Sequence, residues 1–509
     1  MDKVAVMLVT VVIYFLILLW IGYYSWKKSI NTPEDYFVAG RSLGVITLLV
    51  GILATNMSAF GIVGFPTVAY KSGVGALGYA PSAMWLAAVA IYVFCYRAWI
   101  LGKKYGYITP SEILTDRVGS AAGYVLFVIF TVFTIPYLMT GVIGSGVMFS
   151  SMTGGVIPYW LGCFIPYAVV LFYVMFGGMR GQMWTNVVQG LVFATIFLIG
   201  TFFVFGNLGG VSHVFKALQE EAPELLQRTG NFDFRVWTSY VLITFPAVAT
   251  YPWVFIRSLT SRSDKVMKTT LTLYPLAYFI AWFPPILIAI AGILVFPGLT
   301  GTDVDNIIPL MMDRFFPSWA AGIALAGILA AMMSTLDAQL LTLSTMLTRD
   351  LLVKKANITE KQQVWYGRLF VIILASIGFI LSLFQPATVF DVFNVAATGF
   401  IGLAPVLFGM LYWKRMNRYG AIASMLTSVL LSYLFFAQIL PPAAALGFLP
   451  MVPVLIISAL VMVVVSLVTP PESAELADKF FKVFEKVYNP SVDLQRPKIN
   501  LSRNESIRN

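Results

Sequence analysis

Apolar runs of membrane-crossing length alternate with short clusters of charge, proline and glycine along nearly the whole chain. A helix needs about 20 predominantly apolar residues to cross the hydrocarbon layer, and thirteen segments meet that requirement. They lie near residues 4–25, 44–70, 75–97, 119–149, 155–177, 183–205, 236–256, 271–296, 319–348, 366–384, 388–412, 419–440 and 446–469. The pattern predicts an all-α integral membrane protein with about 13 transmembrane helices. The first run is too long for a secretory signal, has no small-residue cleavage site and ends in Trp26, Lys27 and Lys28, so a retained helix is expected. The connections 206–235 and 297–318 mix charge signs with turn residues and read as solvated linkers, a gating role being the alternative. Beyond the last span, Leu476, Phe480, Phe484 and Val487 recur at helical spacing, with acids early and lysines late. A short amphipathic helix against the inner face is expected there, and a disordered polar stretch from Asn489 onward.

Composition removes the soluble alternatives: 59% of the 509 residues are hydrophobic, 11% are charged, and the mean hydropathy is +0.84. The cationic surplus, 33 Lys and Arg against 23 Asp and Glu, reads as topology rather than as a nucleic-acid surface once its positions are followed. With the N-terminus outside, 27 of the 33 basic residues fall on the inner side of the thirteen spans and six outside, the bias that cytoplasmic loops carry. The expected location is the cell membrane, multi-pass, with the C-terminus cytoplasmic. Two cysteines, Cys95 and Cys163, and the single His213 supply no cluster for zinc, iron–sulfur or haem. No GxxxxGK[ST] motif cradles ATP. An enzyme would need a dyad, a cofactor motif or a metal cluster, and none is found. Active transport, if present, has to borrow an ion gradient, with no cofactor beyond the coupling ion.

Two spans depart from the pattern of a plain lipid anchor. The run 44–70 carries Gly51, Thr55, Asn56, Ser58, Gly61, Gly64 and Pro66, and the run 236–256 carries Pro246, Thr250, Tyr251 and Pro252 before Arg257. Unwound backbone at membrane depth is tolerated where it lines a cavity, and there its carbonyls can hold cations. Small-residue helix packing is the plainer reading. The breaks stand five spans apart, the spacing expected of an inverted repeat with its site at the midplane. Among the 23 acids only Asp337 sits well inside a span, in Ala330-Ala331-Met332-Met333-Ser334-Thr335-Leu336-Asp337. An intramembrane acid is a functional candidate by default; the alternative is a structural carboxyl hydrogen-bonded to a neighbour such as Asn186. Hydroxyls of Ser334 and Thr335 beside the carbonyl of Ala331 suit sodium, a hard ion that exchanges its water shell for several oxygens and must leave again.

At these residues the chain resembles the sodium:solute symporter family, which includes the bacterial sodium/proline, pantothenate and monocarboxylate symporters and shares the leucine-transporter fold. The matching stretches run from Asp35-Tyr36-Phe37-Val38-Ala39-Gly40-Arg41 and Thr55-Asn56-Met57-Ser58-Ala59 through Gly177-Gly178-Met179-Arg180 and Trp184-Thr185-Asn186. They continue through Pro252 to Arg257, Gly327 to Asp350, and Pro405 to Trp413-Lys414-Arg415. The resemblance implies a 5+5 inverted repeat with extra helices. Its division is a first helix and cytoplasmic loop (1–43), a first repeat (44–205), an extracellular loop (206–235), a second repeat (236–413), two C-terminal spans (414–470) and a cytoplasmic tail (471–509). It further implies a sodium site from the carbonyls of Ala54, Met57 and Ala331 with the hydroxyls of Ser334 and Thr335. The solute would lie near Asn56, Ser58, Phe60, Gly61, Tyr137, Tyr251 and Trp253. Members with a second sodium site resemble Trp-Thr-Asp where this chain has Asn186, so Asp337 with Asn186 is the expectation for a second sodium or a proton.

The expected partners are therefore sodium, a small-molecule solute and membrane lipid, with no nucleic acid. The expected activity is sodium-coupled symport by alternating access, each ligand raising the other's affinity by the same factor. A small carboxylate or amino acid is favoured, because free N–H groups at the second-span break can receive a carboxylate; a sugar or other polar solute is the alternative. A sodium-regulated sensor or channel is the rival from another class, and the tail after Pro471 is short for a signalling domain.

Overall fold

The computed structural model describes residues 3–30, 32–227, 233–353, 358–384 and 388–487. Among them regular structure is helical, and the one bridge recorded between extended residues joins Leu43 to Ser261. The first helices are α1 (Lys3–Lys27), α2 (Pro33–Val38), α3 (Val45–Asn56), α4 (Phe65–Ser72), α5 (Tyr79–Ala90), α6 (Arg97–Tyr105) and α7 (Pro110–Val118). They are followed by α8 (Ser120–Met152), α9 (Tyr159–Asn207), α10 (Val211–Glu221), α11 (Phe234–Thr250), α12 (Pro252–Ser258), α13 (Asp264–Val295), α14 (Ile307–Phe315) and α15 (Ser318–Met346). The last are α16 (Glu360–Ser382), α17 (Val389–Ile401), α18 (Ala404–Tyr412), α19 (Arg418–Phe436), α20 (Met451–Val468) and α21 (Ala474–Val487).

Among the described residues ten helices are long and apolar enough to cross a membrane, and the bent pairs α3/α4 and α11/α12 raise the number to as many as twelve. The sequence expectation of thirteen reaches that count by separating two runs that the structure joins in α9. At 49 residues that element would extend about 73 Å if straight, more than twice the hydrocarbon thickness of about 30 Å. It is not straight: Gly178 at φ 53°, ψ −151° breaks it. The two arms lie side by side, Gln189 donating to the Tyr173 hydroxyl across them at 3.4 Å. Only glycine enters that backbone region without strain, and an added Cβ would stand 2.7 Å from the Tyr36 ring.

The core of the bundle is α15, whose residues 324–346 are buried throughout, held between α1, α8, both arms of α9 and α3. Side chains such as Trp20, Leu430 and Val464 are exposed, as a lipid-facing surface requires. The connections expected to be solvated linkers are more structured than that. Val214 and Leu218 of α10 are buried, as are Ile307, Ile308, Met311 and Met312 of α14, and the backbone of Leu225 lies against Gly73. Short amphipathic helices thus cover one end of the bundle, because their apolar stripes fit the gaps between spans. At the other end α21 docks as the spacing predicted: Phe480 and Phe484 are buried, Phe484 lies under the Arg97 guanidinium at 4.6 Å, and Lys479 pairs with Asp116 at 2.5 Å. The expectation of disorder from Asn489 onward falls outside the described residues.

Candidate functional site

The two broken spans meet α15 at the middle of the bundle. α3 stops at Asn56 because Met57 takes φ −82°, ψ 72°, outside the helical region. Ser58 then receives the Phe60 N–H at 3.2 Å, a wide π-type turn runs from Phe60 to Gly64, and α4 leaves at 60° to α3. In the other span Pro252 drives Tyr251 to φ −65°, ψ 120°, since the residue before a proline is sterically excluded from helix. The bend between α11 and α12 is 57°.

Of the five residues expected to bind sodium, Ala54, Ala331 and Ser334 come together directly. The Ser334 hydroxyl reaches the carbonyls of Ala54 and Ala331, both at 2.8 Å. Thr335, one residue on, donates to the carbonyl of Thr55 at 2.9 Å. Met57 is buried at the break, its N–H bonding back to Leu53 and Ala54. Neutral oxygens from an unwound helix end and from the hydroxyl face of its neighbour are thereby collected in one place, without a charge in the cluster.

One helical turn further along the same seam, Asp337 has a different setting from the one expected. Its side chain is 0% exposed and pairs with Arg257, itself 1% exposed, at 3.2 Å. Tyr173 and Gln182 donate to the carboxylate at 2.9 and 2.8 Å, and Arg257 also donates to the Gly51 carbonyl at 2.6 Å. Asn186 gives every atom a partner when its amide nitrogen faces Gln189 and Asp337 (2.6 and 2.9 Å) and its oxygen faces the two terminal nitrogens of Arg257 (3.1 and 2.6 Å). Asn186 and Asp337 do meet, but the acid already has a counter-ion in this arrangement, so it offers no unneutralised charge to a second cation. Arg257, which ends its span, is one of the 27 basic residues that the sequence puts on the inner side; the bend carries it inward to Asp337 instead.

A narrow cavity opens beside the breaks. Of the residues expected to touch solute, Asn56, Phe60, Tyr137 and Tyr251 line it. Ser58 stands behind, accepting from Tyr137 at 3.3 Å. Gly61 lies under Trp282, where a Cβ would be 3.0 Å from the ring, and Trp253 is wholly buried, stacked on Tyr251 with centroids 5.0 Å apart. These last three shape the wall rather than line it. No lining residue is charged.

The sequence profile described as the sodium:solute symporter family matches residues 36–428. The chain belongs to that family. The symporter is 27% identical over 492 residues to the osmoregulated proline transporter OpuE of Bacillus subtilis (strain 168), covering 93% of this chain and 97% of the relative. It is 28% identical over 468 residues to sodium/proline symporter 2 of Staphylococcus saprophyticus, covering 86% and 87%. Among solved structures it matches a sodium-coupled sialic acid symporter in a substrate-bound outward-open state, with a TM-score of 0.78 at 17% identity over 92% of this chain and 99% of that one. A nucleobase-cation-symport-1 family transporter in a closed conformation matches with a TM-score of 0.58 at 13% identity over 89% and 98%. The fold is that of these transporters, and the protein is a multi-pass, sodium-coupled symporter of a small organic solute rather than an enzyme.

Sequence reasoning missed much of the symporter's cavity wall: Tyr79, Tyr240, Thr244, Tyr278, Trp282 and Phe393 also line it. An aromatic side chain on an apolar helix carries no sequence signal that separates lining from packing. Trp282 is distinguished only in three dimensions: it is buried, and its indole N–H has no partner among the described residues.

Proposed function

We propose that this symporter imports a compact amino acid or similar small carboxylate with sodium, binding both at the helix breaks and releasing both to the cytoplasm by alternating access. The observation that carries the reading is the adjacency of an uncharged, aromatic-walled cavity to a cluster of neutral oxygens. Such a cavity holds no fixed charge to receive a substrate carboxylate, so the carboxylate has to be met by dipoles and by the coupling ion. Sodium bound at Ala54, Met57, Ala331, Ser334 and Thr335 fixes the geometry of the α3 break that solute contacts, which makes each ligand's affinity depend on the other. The unpartnered N–H of Trp282 supplies a donor within the same wall. The relatives named for proline add weight to an amino acid over a sugar.

The topology that suits this cycle has thirteen passes, the arms of α9 counted separately, with the N-terminus outside and the C-terminus inside as the basic residues favour. The two five-span repeats over 44–205 and 236–413 place one broken span at the start of each. The test is uptake of labelled proline into proteoliposomes under an inward sodium gradient, with a panel of unlabelled amino acids, monocarboxylates and sugars as competitors. Gradient-dependent accumulation blocked by one amino acid or carboxylate is expected. Uptake indifferent to sodium, or competed only by sugars, would overturn the proposal.

A further inference from the structure

Two clusters of oxygen ligands follow one another along the seam between α3 and α15. At the first, the carbonyl of Ala54 meets the Ser334 hydroxyl at 2.8 Å. At the second, three residues further along each helix and thus about 5 Å away, the carbonyl of Gly51 and the carboxylate of Asp337 both hold Arg257, at 2.6 and 3.2 Å. The second position has the composition of an ion cage: a backbone carbonyl, a carboxylate and the Asn186 amide oxygen converge on a single positive group. Tyr173 donates to the other carboxylate oxygen and Gln182 to the one that Arg257 holds, and Gln189 takes the Asn186 amide nitrogen. No other charged side chain is recorded in contact with this group among the described residues.

We infer that Arg257 is a tethered cation occupying a second ion position, so that this symporter binds one sodium per chain, and that removing the guanidinium opens the position to a second sodium. No other positive side chain is recorded beside Asp337 among the described residues, and a buried carboxylate stripped of its counter-charge must take up either a cation or a proton. Sodium is the ion already recognised one turn away, and the vacated space keeps oxygens of the kind it takes. Because Arg257 is carried on α12, just past the bend in its span, its positive charge travels with that segment and is never released to the cytoplasm. The inference rests on the sodium coupling of the family and on the Ser334 position, and it does not depend on which solute is carried.

Equilibrium binding of radioactive sodium to the purified full chain, with no solute present, reads the number directly. The wild type is expected to bind one sodium per chain with a hyperbolic isotherm, Arg257→Ala two, and the double variant Arg257→Gln with Asp337→Asn one again. A wild-type ratio of two overturns the inference. So does an Arg257→Ala protein that binds one sodium with unchanged affinity. If Arg257→Ala is not recovered folded, Arg257→Gln is expected to show the second sodium, and the wild-type ratio still decides.

Discussion

Replacing Ser334 by alanine removes one hydroxyl and little else. The side chain is fully buried, and its oxygen sits 2.8 Å from the carbonyls of Ala54 and Ala331. In the sodium-free protein the loss is a neutral hydrogen bond, worth about 1 kcal/mol. It is offset in part by the better helix propensity of alanine, about 0.5 kcal/mol. The fold is therefore expected to survive with a small fall in melting temperature. With sodium bound, the same oxygen would face a full charge, where a contact is worth about 1.5–3 kcal/mol. At about 1.4 kcal/mol per tenfold, half-saturating sodium rises roughly 10- to 150-fold. Reciprocity then requires that solute affinity fall at fixed sodium and return toward the wild-type value as sodium is raised. Initial rates of uptake in proteoliposomes over a matrix of sodium and solute concentrations measure both. A sodium dependence unchanged within twofold would refute the assignment of Ser334, as would a solute affinity that fails to recover at high sodium.

Trp282→Phe keeps an aromatic ring in the cavity wall while deleting the unpartnered N–H; half-saturating solute is expected to rise about tenfold, the loss of a hydrogen bond to a charged group, with sodium binding in the absence of solute unaltered by isothermal titration. Gly178→Ala places a Cβ 2.7 Å from the Tyr36 ring and 2.8 Å from its carbonyl at a positive φ. It should cost at least about 1–3 kcal/mol of backbone strain alone and reduce folded yield sharply. Gly177→Ala, whose Cβ would meet nothing closer than 3.5 Å, serves as the mild comparison in the same thermal-melt assay. Asp305 lies in the connection between α13 and α14, 1% exposed, accepting from Thr67 at 2.8 Å and from the Val389 N–H at 3.2 Å. Burial raises its carboxyl above the usual carboxylate range, against smaller downward pulls from Thr67, Val389 and Lys71 and with a further push from Asp391. An acid with a raised folded value binds its proton more tightly when folded. Its stabilising contribution is therefore complete below its ordinary value of 3.8 and is lost as pH rises through the raised one. Melting curves should show that slope flattened in Asp305→Asn; an identical slope in the variant would remove Asp305 as its source.

The wall of the solute cavity shows where sequence reasoning lost its grip. Asn56, Phe60 and Tyr251 are legible because they sit at or near helix breaks, which announce themselves through glycine, proline and hydroxyl residues; Tyr137, inside the continuous α8, comes from the family resemblance alone. Tyr79, Tyr240, Tyr278 and Trp282 lie on helices whose apolar residues continue around the whole circumference, so no periodicity marks an inward face. The loops 206–235 and 297–318 were misjudged for a related reason. Their amphipathic stripes are too short to stand out from a polar background, yet they find apolar gaps to cover.

The linear order of apolar and charged residues by itself determined that the chain is a helical membrane protein. Water and lipid impose their demands on each segment separately, and a segment of about 20 apolar residues has one stable way to satisfy its backbone. Local chemistry likewise fixed one break, because Pro252 constrains its own neighbour; the other falls at Met57, where Ser58 receives the Phe60 N–H. What only the tertiary structure decided is which charges meet. Arg257 and Asp337 are 80 residues apart, and their pairing depends on a 57° bend and on the packing of α12 against α3 and α15. A charge at bilayer depth has no stable setting until its partner arrives, and no stretch of sequence short enough to read locally contains both.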